Sequence, residues 1–149
     1  MKQDIDIETL NVYVKNLEGE FWLPLKDYET RYFVSNFGRI FSTKRMKILK
    51  PFITNSGQGK YPKDDHLNVE LCNGHSCELR KLHIIIAETF LEKPCTTEKI
   101  CIHHINSNPQ DNRVANLIYV RRSKHIRLHR LLNKFKRDLV LFDDNKKTK

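Results

Sequence analysis

The chain has 149 residues, with 27 Lys and Arg against 18 Asp and Glu, a formal charge of +9 with histidines neutral. That is the length of one ordinary domain or of two small units sharing a core, and no stretch approaches the roughly 18 consecutive apolar residues of a membrane span, so a membrane partner is not expected. The first ten residues carry Asp4, Asp6 and Glu8 where a secretory signal has a basic start and an apolar run. The four cysteines match neither a secreted disulfide framework nor a paired CxxC ribbon, so an intracellular chain with free thiols is expected.

An N-terminal extension, 1–20, precedes residues 21–81, which read as β structure with tight turns. Tyr32-Phe33-Val34 and Arg39-Ile40-Phe41 flank Ser35-Asn36-Phe37-Gly38, where Asn and Gly supply the backbone freedom of a hairpin turn. His66-Leu67-Asn68-Val69-Glu70-Leu71 alternates with period two, Asn73-Gly74 marks a second turn, and Cys77-Glu78-Leu79-Arg80 returns. Between the hairpins, 55–60 reads as a mobile loop. The run 82–91 lacks Gly and Pro and is rich in long apolar residues, which predicts a largely buried helix stopped before Pro94. Residues 100–104 predict a short strand, 106–116 a polar loop with one helical turn, and 118–120 a second strand. Ser123 offers an N-cap for a helix to about residue 140, along which Leu128, Leu132, Phe135 and Leu139 form an apolar stripe. A charged tail, 143–149, follows. The fold class expected is α+β, and its last third runs strand, loop, strand, helix.

Eight of the nine excess positive charges fall between Arg121 and Arg137, where Arg121, Arg122, Lys124, Arg127, Arg130, Lys134, Lys136 and Arg137 meet no Asp or Glu. Such a block suits a polyanion, because each phosphate contact releases counterions. Taken alone, a charge run more often marks the solvated face of a helix. The histidines tip the balance.

Four of the seven histidines lie between His103 and His129. His125 and His129, four residues apart on a helix, place both imidazoles on one face, as a helical metal site requires. His103 and His104 are adjacent on a strand and point to opposite faces, so one can bind a metal while the other faces a substrate. Phosphodiester hydrolysis needs that division. A neutral imidazole accepts a proton from water near working pH, and a divalent cation stabilises charge on the phosphate and the leaving oxygen. Asn116, at the end of the loop, is suited to fix the loop or the orientation of the base.

Residues 82–129 resemble the HNH endonuclease family, whose ββα-metal motif has the order strand, loop, strand, helix. The resemblance rests on Leu82-His83-Ile84-Ile85-Ile86-Ala87-Glu88-Thr89-Phe90, then Ile102-His103-His104-Ile105-Asn106-Ser107-Asn108, Asp111-Asn112-Arg113-Val114-Ala115-Asn116-Leu117, and His125. It implies that His104 is the general base, that Asn116 is the middle Asn of the motif, and that His103, His125 and His129 are metal ligands. The stretch from Phe21-Trp22-Leu23-Pro24-Leu25 through Val34-Ser35-Asn36-Phe37-Gly38-Arg39-Ile40-Phe41-Ser42 is similar to the small DNA-associated module that precedes HNH domains in phage and intron-encoded homing endonucleases. Trp22 and Tyr32 would pack in a small β core in either case. The organisation implied is a module at 21–60, a nuclease domain at 61–142 with its ββα-metal core at about 100–140, and the basic C-terminal helix. Where homing-type relatives usually have Asp-Gly-Asn, this chain has Asn106-Ser107-Asn108.

The resemblance implies a metal-dependent endonuclease acting on double-stranded DNA in the cytoplasm of a bacterial or phage-infected host cell. Arg121, Arg122, Lys124 and Arg127 would lie along phosphates, with Arg113 as a loop contact. One divalent cation is expected. Three imidazoles suit zinc or nickel, while magnesium or manganese, completed by phosphate and water oxygens, would serve activity. One site makes one nick, and a double-strand break calls for a homodimer or a second event. Two other classes fit parts of the pattern. One is a non-catalytic zinc-stabilised nucleic-acid-binding protein in which Cys95 or Cys101 closes a four-ligand site, and the other is a basic module for RNA or an acidic protein. His66 and His75 receive no chemical role, and His83 reads as a packing or capping residue.

Overall fold

Alternating large apolar residues in the first third of the chain build a sheet that is covered on both faces. The computed structural model describes residues 7–28, 31–54 and 65–144. After α1 (Ile7–Tyr13) come β1 (Trp22–Pro24), β2 (Tyr32–Ser35), β3 (Ile40–Ser42) and β4 (Lys47–Ile48), an antiparallel meander in that spatial order. Successive strand residues point to opposite faces. Tyr32, Val34 and Ile40 therefore enter one buried cluster, while Phe33 and Phe41 enter another with Trp22, Leu10 and Val14. The N-terminal extension thus helps to roof the module that follows it.

β5 (Phe52–Ile53), β6 (Leu67–Cys72) and β7 (Cys77–Lys81) form a second antiparallel sheet. Its expected turn is present: Asn73 Oδ1 accepts hydrogen bonds from the N–H groups of His75 and Ser76, and Gly74 takes φ +103°. The expectation of four free thiols is corrected here. Cys72 and Cys77 face each other across the hairpin with Cα atoms 4.0 Å apart and are joined by a disulfide, leaving Cys95 and Cys101 as free thiols. The two cysteines are opposite each other only because the ladder pairs them, which a spacing of five residues does not announce. The Tyr32 hydroxyl accepts from the N–H of Cys72 at 2.9 Å and so ties this hairpin to the first sheet.

α2 (Leu82–Phe90) follows β7 directly and buries Leu82, His83, Ile85, Ile86 and Ala87. Its Leu82, Ile85 and Ile86 meet Val34, Ile40, Val69, Leu71 and Leu117 in the main core, each such side chain contributing about 1.5–3 kcal/mol. The core thus joins the first sheet, the second sheet, α2 and the last strand.

β8 (Ile100–His104) and β9 (Leu117–Arg121) make an antiparallel ribbon, connected by a loop that ends in one 3₁₀ turn (Val114–Asn116), and α3 (Arg122–Asp144) leaves β9 without a break. Strand, loop, strand and helix stand in the expected order. α3 starts at Arg122, so Ser123 lies in its first turn and does not precede it. With no Gly or Pro to stop it, α3 also continues through Asp143 and Asp144. The remainder of the tail and the loop at 55–60 lie outside the described residues. The expected stripe on α3 is corrected at Leu128, which is 40% exposed, while Leu132 is half-buried. The face that α3 turns toward β8 carries His125 and His129, and Leu128 stands roughly 60–100° around the helix from them. Phe135 and Leu139 have side chains outside the described part of the helix. Among the described residues, no helix is long and apolar enough to cross a membrane.

Candidate active site

The pleat of β8 separates its two terminal histidines. His103 faces α3, its ring 5.0 Å from that of His125 and 5.5 Å from that of His129, and the latter two rings are 4.4 Å apart. One ligand nitrogen from each lies within 4.8 Å of the others. The Nε2 atoms of His125 and His129 are 3.1 Å apart. Two imidazole nitrogens bound tetrahedrally to one zinc-sized ion, each at about 2.0–2.1 Å, would stand roughly 3.3 Å apart, so the three side chains fit a single divalent cation. Burial lowers the pKa of His103 and of His125, and the neighbouring histidines lower it further. Both effects favour the neutral imidazole that a metal ligand must be. Among the described residues no cysteine joins this group.

His104 points the other way, into a buried corner. Its ring lies 5.2 Å from that of His83 at the start of α2 and 5.5 Å from that of His66 ahead of β6. Its Nε2 is 3.1 Å from Oδ1 of Asn112. Burial holds the pKa of His104 below the ordinary imidazole value, although the bond to Asn112 acts upward, with smaller contributions from His66 downward and Asp111 upward. The group is therefore neutral near pH 7 and able to take a proton. All six of these histidines line one cleft of about 580 Å³. His75 stays exposed in its hairpin turn.

The side-chain hydrogen bonds of Asn116 go to the loop, while His104 bonds Asn112. The side-chain oxygen of Asn116 accepts from the N–H of Asn106 at 2.9 Å, and its amide donates to Asn106 Oδ1 at 2.9 Å and to the carbonyl of Asp111 at 2.8 Å. The Asn106 amide in turn donates to Asp111 Oδ2, and its oxygen accepts from the N–H of Asn108. Ser107 holds φ +61°. Hydrogen bonds from Arg113 hold the Asp111 carboxyl well below its usual range, at about 2.

Sequence reasoning missed Asn112, His66 and His83. Nothing in their local spacing marks them, because β6, α2, β8 and the loop bring them together from four separate segments. Arg122, Lys124 and Arg127 are exposed at the start of α3. Arg121 is exposed too but lies 3.1 Å from Glu98, and Arg113 is bound to Asp111 at 2.7 Å. None of these five cations lines the cleft, although Lys93 does.

The HNH endonuclease family model matches residues 80–127, and a NUMOD4 motif matches residues 20–62. An uncharacterised HNH endonuclease of Acanthamoeba polyphaga mimivirus is 29% identical over 125 residues, which is 78% of this chain and 28% of that protein. The DNA endonuclease I-HmuI of Bacillus phage SP01 is 31% identical over 99 residues, covering 66% of this chain and 51% of the relative. A solved structure of the HNH homing endonuclease I-HmuI, concerned with DNA binding and cleavage, superposes with a TM-score of 0.60 at 26% identity, over 76% of this chain and 59% of that one. The chain therefore spans between about a quarter and a half of the length of these curated relatives. Matched motifs, relatives and fold agree with the strand–loop–strand–helix site: the chain carries an HNH endonuclease motif at residues 80–127, with a NUMOD4 motif ahead of it at residues 20–62.

Proposed function

We propose that the chain hydrolyses phosphodiester bonds in double-stranded DNA as a metal-dependent endonuclease, with His104 as general base. The observation that carries this reading is the split at the end of β8. His104 is held in a neutral, buried corner on one face, and His103 joins His125 and His129 on the other, with both faces opening to one cleft. His104 takes a proton from the attacking water. Asn116 keeps the loop between β8 and β9 closed. Arg122, Lys124 and Arg127, with Arg121 and Arg113, lie along flanking phosphates and set position more than sequence. HNH nucleases generally use a divalent metal, and His103, His125 and His129 would hold it here. Once bound, it would stabilise charge on the phosphate and the leaving oxygen. Three imidazoles with no fourth protein ligand among the described residues favour an open, working site over a closed structural one.

Conversion of supercoiled plasmid, with magnesium, manganese, zinc or no metal, tests this directly. Metal-dependent nicking by the native chain and its loss in His104→Ala, by about 100-fold or more, is the expected result. Undiminished nicking by His104→Ala would remove His104 from the role of base.

A further inference from the structure

Asn112 is 4% exposed and His104 is 6% exposed, and their side chains meet. The amide of Asn112 has a defined orientation, because its Nδ2 donates to the carbonyl of Gln110 at 3.1 Å, a contact an oxygen could not make. Its Oδ1 therefore faces His104 and can only accept. Nε2 of His104 must then carry the proton, which leaves Nδ1 with the lone pair. Asn112 is itself pressed against the NUMOD4 region. The N–H of Val114 donates to the carbonyl of Asn36 at 2.9 Å, and a Cβ added to Gly38, at φ +81°, would stand 3.0 Å from the carbonyl oxygen of Asn112. The turn at 35–38 is braced from its own side. Ser35 Oγ accepts from the N–H groups of Phe37 and Arg39, and the Asn36 side chain accepts from the N–H of Phe21 and donates to the carbonyl of Gly19.

We infer that Asn112 is the positioning residue that fixes the ring and tautomer of His104, and that the 35–38 turn of the NUMOD4 region holds Asn112 in register, so this region acts on turnover. The inference rests on the reading of His104 as base. A base is useful only with its lone pair aimed at the water, and a buried amide oxygen opposite the other ring nitrogen supplies that bias without adding a charge.

The test joins imidazole ¹⁵N spectra with nicking kinetics on the full chain, the His104 signals being assigned by their disappearance in His104→Ala. The native protein is expected to show the Nε2–H tautomer at His104. Asn112→Leu, nearly isosteric but without an acceptor, is expected to lose that preference and to lower kcat by about 10- to 100-fold with KM unchanged. Asn112→Asp, which keeps an oxygen acceptor, should recover the Nε2–H signal and a larger kcat than Asn112→Leu. Gly38→Ala should shift the His104 signals in the same direction as Asn112→Leu. A proton on Nδ1 in the native chain, or an unchanged kcat in folded Asn112→Leu, would overturn the inference. Should Asn112→Leu fail to fold, the native spectrum alone decides between the tautomers. Persistent nicking by His104→Ala would instead overturn the assignment of the base, while the tautomer would still report the Asn112 contact.

Discussion

Ser107 occupies a left-handed conformation at φ +61° in the loop that Asn106 and Asn116 clamp. A side chain there costs about 1–2 kcal/mol in steric strain, whereas glycine costs about 0.5–1 kcal/mol in extra chain entropy. Ser107→Gly is therefore expected to stabilise the protein by about 0.5–1 kcal/mol, read as a rise in Tm by calorimetry. A lowered Tm would mean that the serine hydroxyl contributes more than its backbone strain removes. Asn106 closes this loop by serving as both donor and acceptor. One amide both donates to Asp111 and accepts from Asn108 and Asn116, so it closes the turn that a carboxylate could only cap as an acceptor.

At the level of elements, β8, β9 and the first turns of α3 carry the candidate site, and α3 divides its surface between histidines and cations. Arg122, Lys124 and Arg127 are exposed, and each phosphate they contact should add about 0.9 to the steepness of the salt dependence of duplex binding. Replacing all three with Gln is expected to lower the slope of log K against log salt by nearly that amount per contact, measured by fluorescence titration. An unchanged slope would make them a solvated face. The element order, both hairpins and the His125–His129 face were legible in the sequence, because alternation, turn residues and a spacing of four are local signals. The environment of His104 was not. Asn112, His83 and His66 reach it from different elements, and only the packed chain shows which asparagine meets His104 and which holds the loop. Leu128 misled for a related reason: helical spacing gives the relative angle of side chains, but what the helix packs against decides which angle is buried.

At the scale of the molecule, the main core does not include the face that carries His103, His125 and His129. It is made of Val34, Ile40, Val69, Leu71, Ile85, Ile86 and Leu117 with their neighbours, and none of the three candidate ligands belongs to it. Stripping divalent ions with a chelator is therefore expected to abolish nicking while leaving the far-ultraviolet circular dichroism and a cooperative thermal transition in place. Loss of the fold on chelation would identify a structural metal instead. The same core gives the first sheet and the HNH segment a shared interior, since side chains from β2, β3, β6, α2 and β9 interlock within it. The NUMOD4 region and the nuclease motif are thus expected to unfold together.

The β8–β9 ladder pairs His104 with Leu117 and His103 with Ile118, and Leu117 is 3% exposed where Ile118 is 46% exposed. Turning the whole ribbon over against the core, with its pairing kept, would exchange the faces of two chemically identical side chains. It would turn His103 into the corner of His83 and His66 and leave His104 opposite α3, while asking Ile118 to enter the core in place of Leu117. Two adjacent histidines can therefore hold different posts only because an aliphatic neighbour across the ribbon has one place to go. In this fold the burial of a single leucine works as the index mark that tells otherwise interchangeable side chains apart.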